Sequence, residues 1–186
     1  MTTTVHPNDH VRLALPGEAA AIAEVQRRVW AAESGGSAGR RLLEELDVDA
    51  MTELWSRAIL APPAARYRVL VALADTRVVG FAATAPSTDS DADPAADGAV
   101  EELAIDPVAR RRGHGSRLLN ACADTLGADG FTRARSWVPA QDDELRRFLT
   151  AAGWAADGAF REIGTDDASV RLKQVRLHTS LGTSAD

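Results

Sequence analysis

Between Val100 and Leu119 the chain changes character twice within one short stretch. Val100-Glu101-Glu102-Leu103-Ala104-Ile105 closes a strand that begins near Ala99, and Asp106-Pro107 turns out of it. Arg110-Arg111-Arg112-Gly113-His114-Gly115 is basic and glycine-containing, and from Gly113 to Ala128 the chain reads as a helix with Leu118, Leu119, Cys122 and Leu126 on one face. A strand fed through such a loop into a helix constrains what can be built. The first turn of a helix has N–H groups without internal partners and a partial positive charge. Glycines there let a phosphate approach the backbone, and arginines add charge that suits a diphosphate. The segment therefore reads as an anion site for a phosphorylated cofactor.

Two rival phosphate motifs fail residue by residue. A P-loop needs Gly-x-x-x-x-Gly-Lys-Ser/Thr, and this stretch has no lysine. A dinucleotide fingerprint needs a third glycine where Leu118 stands.

Around this segment the pattern alternates between periods. Val11 to Leu15 reads as a first strand, broken by Pro16-Gly17. Glu18 to Glu33 carries Ile22, Val25 and Val29 at helical spacing, and Ser34-Gly35-Gly36-Ser37 links it to a second helical stretch over 39–60, interrupted at Asp47-Val48-Asp49. Tyr67–Ala74 and Arg77–Ala85 form a hairpin turning at Asp75-Thr76. A loop with Asp89, Asp91, Asp93 and Asp97 spans Pro86 to Gly98; it is read as a mobile surface loop, or as a lid that attracts a cationic acceptor. Phe131–Val138 is a strand, Asp142–Ala152 a helix capped by Gly153, and Phe160–Ile163 with Val170–Leu177 a closing hairpin. The order predicts an α/β (mixed α+β) fold, a mixed sheet with helices in one domain over 11–180, between a disordered tail at 1–10 and a second tail at 181–186.

Bulk properties narrow the class. A lone cysteine, Cys122, excludes an internal disulfide framework and a multi-cysteine metal site, and it fits a cytoplasmic protein. No stretch approaches the apolar length of a membrane helix, and a net charge of -6 argues against nucleic acid or an anionic membrane as partner. Cys122 reads as core, His178 as structural, and Trp30, Trp55 and Trp154 as core or pocket wall.

Arg110-x-x-Gly113-x-Gly115, after a strand ending Leu103-x-Ile105-x-Pro107, resembles the acetyl-CoA motif of the GNAT superfamily of N-acetyltransferases. Phe148 with Gly153-Trp154 resembles a second element of that family, so the resemblance covers about 99–154. It implies a mostly antiparallel central sheet flanked by helices, acetyl-CoA as co-substrate and no metal. Backbone groups of Leu103, Ala104 and Ile105 would meet the pantetheine arm, with the Ile105 N–H at the thioester carbonyl and the tetrahedral oxyanion. Arg110, Arg111, Arg112, Gly113, His114, Gly115 and Ser116 would hold the pyrophosphate. The acceptor, a small-molecule amine or a protein N-terminal amine, would attack the thioester directly; a homodimer stays open.

The chain departs from the family pattern at two places. The position where many relatives carry a tyrosine acid is Leu149, and a position where some carry a catalytic glutamate is Ala99. Glu101 and Glu102 are the remaining candidates for a catalytic carboxylate, and strand alternation lets at most one of them point at the amine. A non-catalytic acyl-CoA-binding regulatory module is the alternative that Leu149 and Ala99 support.

Overall fold

The computed structural model describes residues 9–33, 47–164 and 171–182. In chain order its elements are β1 (His10–Leu13), α1 (Ala19–Glu33), α2 (Val48–Leu60), β2 (Arg68–Ala74), β3 (Arg77–Pro86), β4 (Asp97–Ile105), α3 (His114–Ala128), β5 (Arg133–Pro139), α4 (Asp143–Ala151), β6 (Ala155–Gly164) and β7 (Arg171–Ser180). The strands form one seven-stranded sheet in the order β1-β2-β3-β4-β5-β7-β6. Its pairs are antiparallel at β1–β2, β2–β3, β5–β7 and β6–β7 and parallel at β4–β5, so the sheet is mixed and mostly antiparallel, as expected.

The chain divides into two compact units. The first comprises 1–84 and 102–124, the second 85–101 and 125–186. In the first, β2 buries Val69 to Leu73 without a break, the mark of a strand covered on both faces. Ile22, Val25 and Val29 of α1 pack with Met51 and Trp55 of α2, Val71 of β2 and Phe81 of β3. The Trp55 ring meets Phe81 edge to face at 4.9 Å. Its indole N–H donates 2.8 Å to Gln26 Oε1, which satisfies the one polar group that a buried tryptophan brings. Trp30, expected as core or pocket wall, is 39% exposed and so not core.

Helix α2 begins where the interruption was expected: the Asp47 carboxylate accepts from the backbone N–H groups of Asp49 and Ala50, an N-cap. The rest of that predicted stretch, 39–46, and the link at 34–37 lie outside the described residues.

In the second unit, α4 is capped at both ends. Asp142 accepts from the Leu145 N–H at 2.9 Å. At the other end Trp154 N donates to Leu149 O and Gly153 N to Thr150 O, with Gly153 at φ 89°. These two bonds make a Schellman motif, and its usual apolar contact is the buried pair Leu149 and Trp154. Strand β6 starts at Ala155, earlier than expected, and its register on β7 shifts between Ala156 and Phe160 around Gly158, at φ 87°. The predicted loop over 86–98 is shorter, because β3 reaches Pro86 and β4 starts at Asp97.

Candidate functional site

Strand β4 carries an irregularity. The Asp97 carbonyl accepts from Ser87 N–H, on the β3 side, while the Val100 carbonyl accepts 2.9 Å from Ser136 Oγ, on the β5 side. Odd-numbered carbonyls therefore point to β3 at the start of the strand. By its end the sense has reversed: Asp106 N–H donates 2.9 Å to Val79 O on β3, and the Ala104 carbonyl lies 2.8 Å from where a Cβ on Gly80 of β3 would stand. Backbone groups alternate sides along a strand, so a reversal requires a bulge between Val100 and Ala104. The β4–β5 register covers only Asp97, Gly98 and Ala99 against Arg133, Ala134 and Arg135. The backbone groups of Leu103 and Ile105 thus point away from β3, beyond the end of that ladder.

The loop after β4 is set by short-range contacts. Asp106 accepts from Val108 N–H at 3.2 Å and is bridged by Arg28 of α1 at 3.0 Å, which fixes the turn at Pro107. Arg110 donates from Nε to the Ile105 carbonyl (3.2 Å) and from a terminal nitrogen to Glu33 (3.0 Å). Its guanidinium ties the end of β4 to α1. Arg111 has φ 63°, rare for a residue with a side chain, and Gly113 has φ 83°. Left-handed residues placed just before a helix turn successive N–H groups toward one point, a nest for an anion. Helix α3 starts at His114 with no acidic residue in its own first turn to satisfy the N–H groups there. Arg111 and Arg112 are exposed, as is Ser116, and Gly115 is half-buried.

His114 is 3% exposed and points into the protein. Its Nδ1 lies 3.2 Å from an Arg117 nitrogen, which can only donate, so Nδ1 is the acceptor and the ring is neutral. Burial chiefly, helped by Arg117 and Arg112 and opposed by Asp9, holds its pKa below the usual histidine value. Arg117 also donates 3.0 Å to Asp9, so the loop is braced from beneath.

The two glutamates part company. Glu102 accepts from Gln26 Nε2 at 3.0 Å, so it completes a chain from Trp55 through Gln26 on α1 and α2. The Glu101 carboxylate accepts no hydrogen bond among the described residues. Its side chain is exposed, yet protein gathers closely enough for desolvation to hold its carboxyl above the usual range; Arg161 opposes this and Asp89 adds to it. Ala99 is buried, and so is Leu149, at 3% exposure.

The acidic segment is pinned from within. Asp97 takes Arg133 and Arg135; Asp91 takes Arg135 and Arg176; Asp89 takes Arg135, Arg176 and the Trp137 indole N–H at 2.8 Å. Asp157 adds a further carboxylate to Arg176 at 2.7 Å. Arg176 and Arg135 hold Asp91 well below the carboxylate range, Arg133 with help from Arg135 holds Asp97 below its ordinary value against burial, and at Asp89 Trp137, Arg176 and Arg135 outweigh burial. This network escaped the sequence reading. Its one visible signal was the alternation Arg133-x-Arg135-x-Trp137, charged and aromatic residues on one face of a strand.

Among the described residues no helix is long and apolar enough to cross a membrane, and no group of three or more His, Cys, Asp or Glu could hold a metal. Among curated proteins nothing matches the chain. Solved structures match its fold over nearly its whole length. yncA from Salmonella typhimurium, solved with its cofactor acetyl-CoA, has a TM-score of 0.68 at 19% identity, covering 96% of this chain and 97% of that one. The ribosomal-protein-S18-alanine N-acetyltransferase of Escherichia coli has a TM-score of 0.63 at 14% identity, covering 96% and 97%. An N-acetyltransferase from Staphylococcus aureus Mu50 has 0.68 at 12%, covering 94% and 99%. The model of the acetyltransferase (GNAT) family matches residues 30–154, well over half of the chain. The chain therefore belongs to the GNAT acetyltransferase family and is an acyltransferase.

Proposed function

We propose that this protein transfers an acetyl group from acetyl-CoA to a primary amine in a single displacement. The observation that carries the reading is the pair of positive φ angles at Arg111 and Gly113, followed at once by the acid-free N-terminus of α3. A nest and a helix N-terminus in series suit two linked phosphates, and the exposed side chains of Arg111 and Arg112 can add charge. Arg110 acts through its neighbours: by gripping the Ile105 carbonyl it positions the strand end, while its own backbone stays in the loop.

Leu103 and Ile105 turn their backbone groups to the side of β4 away from β3, which fits pairing with a pantetheine arm. The Ile105 N–H would then sit at the thioester carbonyl and stabilise negative charge on its oxygen. The amine lone pair attacks the carbonyl carbon, the C–N bond forms, the C–S bond breaks, and the departing thiolate takes a proton from water. The acceptor must also lose a proton. We assign this role to Glu101, acting through an ordered water, because Glu102 is committed to Gln26. No tyrosine acid is available where Leu149 stands, and a thiol with a reference pKa of about 8.5 leaves tolerably without one.

Thiol release from acetyl-CoA with a panel of amines tests the reading. Turnover is expected with at least one amine. Acetyl-CoA should also raise Tm far more than NAD or ATP does, and Gly115→Glu should abolish that shift by placing bulk and charge in the phosphate site. Equal shifts from all three ligands, or normal CoA binding by Gly115→Glu, would remove the loop from the assignment.

A further inference from the structure

Among the described residues, almost every charged group near Glu101 is already paired. Arg133, Arg135 and Arg176 are spent on Asp89, Asp91, Asp97 and Asp157. Two opposite charges remain. Glu101 accepts no hydrogen bond, and the terminal nitrogens of Arg161 have no acceptor among the described residues. Each lies within the other's field, and they do not form an ion pair.

Arg161 is nevertheless held in place. Its Nε donates 2.7 Å to Gln174 Oε1, and its guanidinium carbon sits 4.5 Å from the centroid of the Trp137 ring. The ring is itself fixed by the bond from its indole N–H to Asp89. A cation clamped by a fixed ring and an amide loses little freedom on binding a ligand. The register explains why these groups converge. Arg161 pairs with Gln174, Gln174 shares a face of β7 with Arg176, Arg176 pairs with Trp137, and Trp137 shares a face of β5 with Arg135, the partner of Ala99. Glu101 lies two residues beyond Ala99, just past the end of the β4–β5 ladder, and the Arg161 charge acts on its carboxyl through space.

We propose that the acceptor is a small amine that also carries a carboxylate, an α-amino acid in the simplest form, with its carboxylate on Arg161 above Trp137 and its amine toward Glu101. The inference rests on the acetyl-transfer reading and names the substrate class of that site. A guanidinium edge presents two parallel N–H groups that match a carboxylate. An ammonium beside Glu101 and a carboxylate beside Arg161 complement the two charges left open among the described residues. A plain alkylamine would satisfy only one of them. A peptide N-terminus has an amide where the carboxylate is needed.

The experiment compares amino acids with their carboxamides and with dipeptides that begin with the same residue, in thiol-release kinetics with acetyl-CoA. Free amino acids should have a kcat/KM about ten- to a hundredfold higher, the size of one hydrogen bond between charged groups. Arg161→Met should close that gap by raising KM for the amino acid while leaving KM for acetyl-CoA alone, and Arg161→Lys should restore part of it. Arg171→Met, which removes a cation paired to Glu162, should leave the gap as it is. Carboxamides or dipeptides that match the free amino acids, or an Arg161→Met loss equal for all three, would overturn the inference with acetyl transfer intact. Absence of turnover with every amine would instead overturn the acetyl-transfer reading. Titration calorimetry of the same amino acid and carboxamide against CoA-bound protein then decides Arg161: tighter binding of the acid supports it, and equal binding refutes it.

Discussion

Glu101 and Glu102 are adjacent and chemically identical, yet their surroundings separate them. Glu102 is held by Gln26, whose other end is held by Trp55, so Glu102→Gln should keep kcat near the wild-type value. Glu101→Gln should lower kcat roughly 10²-fold, the low end for a positioned acid–base group. The same substitution has a readout in stability. Burial raises the Glu101 pKa in the folded protein, so the native state holds its proton more tightly than the unfolded chain does. Its favourable contribution is then complete below the ordinary glutamate pKa, about 4.3, and is lost as pH rises through the folded value. Glu101→Gln should therefore raise Tm at neutral pH and not at pH 4, the pattern of a group kept for function against stability. Thermal melts of the variant at both pH values check it; a lower Tm at pH 7 would place Glu101 among the structural residues. Leu149 is the converse case. Being 3% exposed and the first residue of the Schellman motif, it has no room for a phenol. Leu149→Tyr should cost about 1–3 kcal/mol by overpacking and bring no falling limb to the pH–rate profile. A gain in kcat with such a limb would show that the position can host the acid after all.

At the scale of elements, the legible parts were those where local chemistry and tertiary demand agree. The strand–loop–helix over β4 and α3, the hairpin of β2 and β3 and the caps of α4 follow from period, glycine and aspartate alone. The bulge in β4 was not legible. Nothing in Val100-Glu101-Glu102-Leu103-Ala104 breaks the pattern, because it arises from how neighbouring strands grip its two ends. The start of β6 was missed because Ala155-Ala156-Asp157-Gly158 carries no β-branched residue, and its pairing with β7 supplies the order instead. The acidic loop was misread for a related reason: the sequence shows four aspartates, and their arginine partners lie on β5 and β7. Gly80 shows what the bulged strand demands of its neighbour. A Cβ there would stand 2.3 Å from Ile105 Cδ1 and 2.8 Å from the Ala104 carbonyl oxygen. The second contact is with backbone and cannot be relieved by a side-chain rotation. Gly80→Ala should therefore push the end of β4 outward and, on the proposed role of Ile105, raise KM for acetyl-CoA several-fold, at a cost of about 1–3 kcal/mol. Steady-state kinetics with a urea melt check both, and an unchanged KM would mean that β4 absorbs the methyl elsewhere.

Across the whole molecule, the net charge of -6 invites a picture of long-range attraction for cations. The structure moves part of that charge indoors. Asp89, Asp91 and Asp97, with Asp157, face Arg133, Arg135 and Arg176, so much of the acidity of the loop is neutralised at short range and steers a ligand little. The same network governs how the protein meets acid. Asp97 is wholly buried, and its hydrogen bonds from Arg133, against the cost of burial and with help from the Asp93 N–H and Arg135, hold its pKa below the ordinary value. A depressed carboxylate contributes stability that is present above the unfolded pKa, about 3.9 for aspartate, and is lost as pH falls through the folded value. Asp89, Asp91 and Asp157 shift in the same direction, so their losses fall in the same window. Stability should then hold down to about pH 4 and fall steeply below it. Asp97→Asn leaves Arg133 without its carboxylate and Arg135 with only the aspartates at 89 and 91. At pH 7 it should cost about 3 kcal/mol, the low end for breaking a buried pair, since Arg133 is partly solvated. As pH drops toward 3, the wild-type protein loses what the variant never had, and the two stabilities should converge. Urea melts at several pH values measure this directly. Parallel curves, offset by the same amount at pH 7 and pH 3, would show that the Asp97 contribution is packing rather than charge.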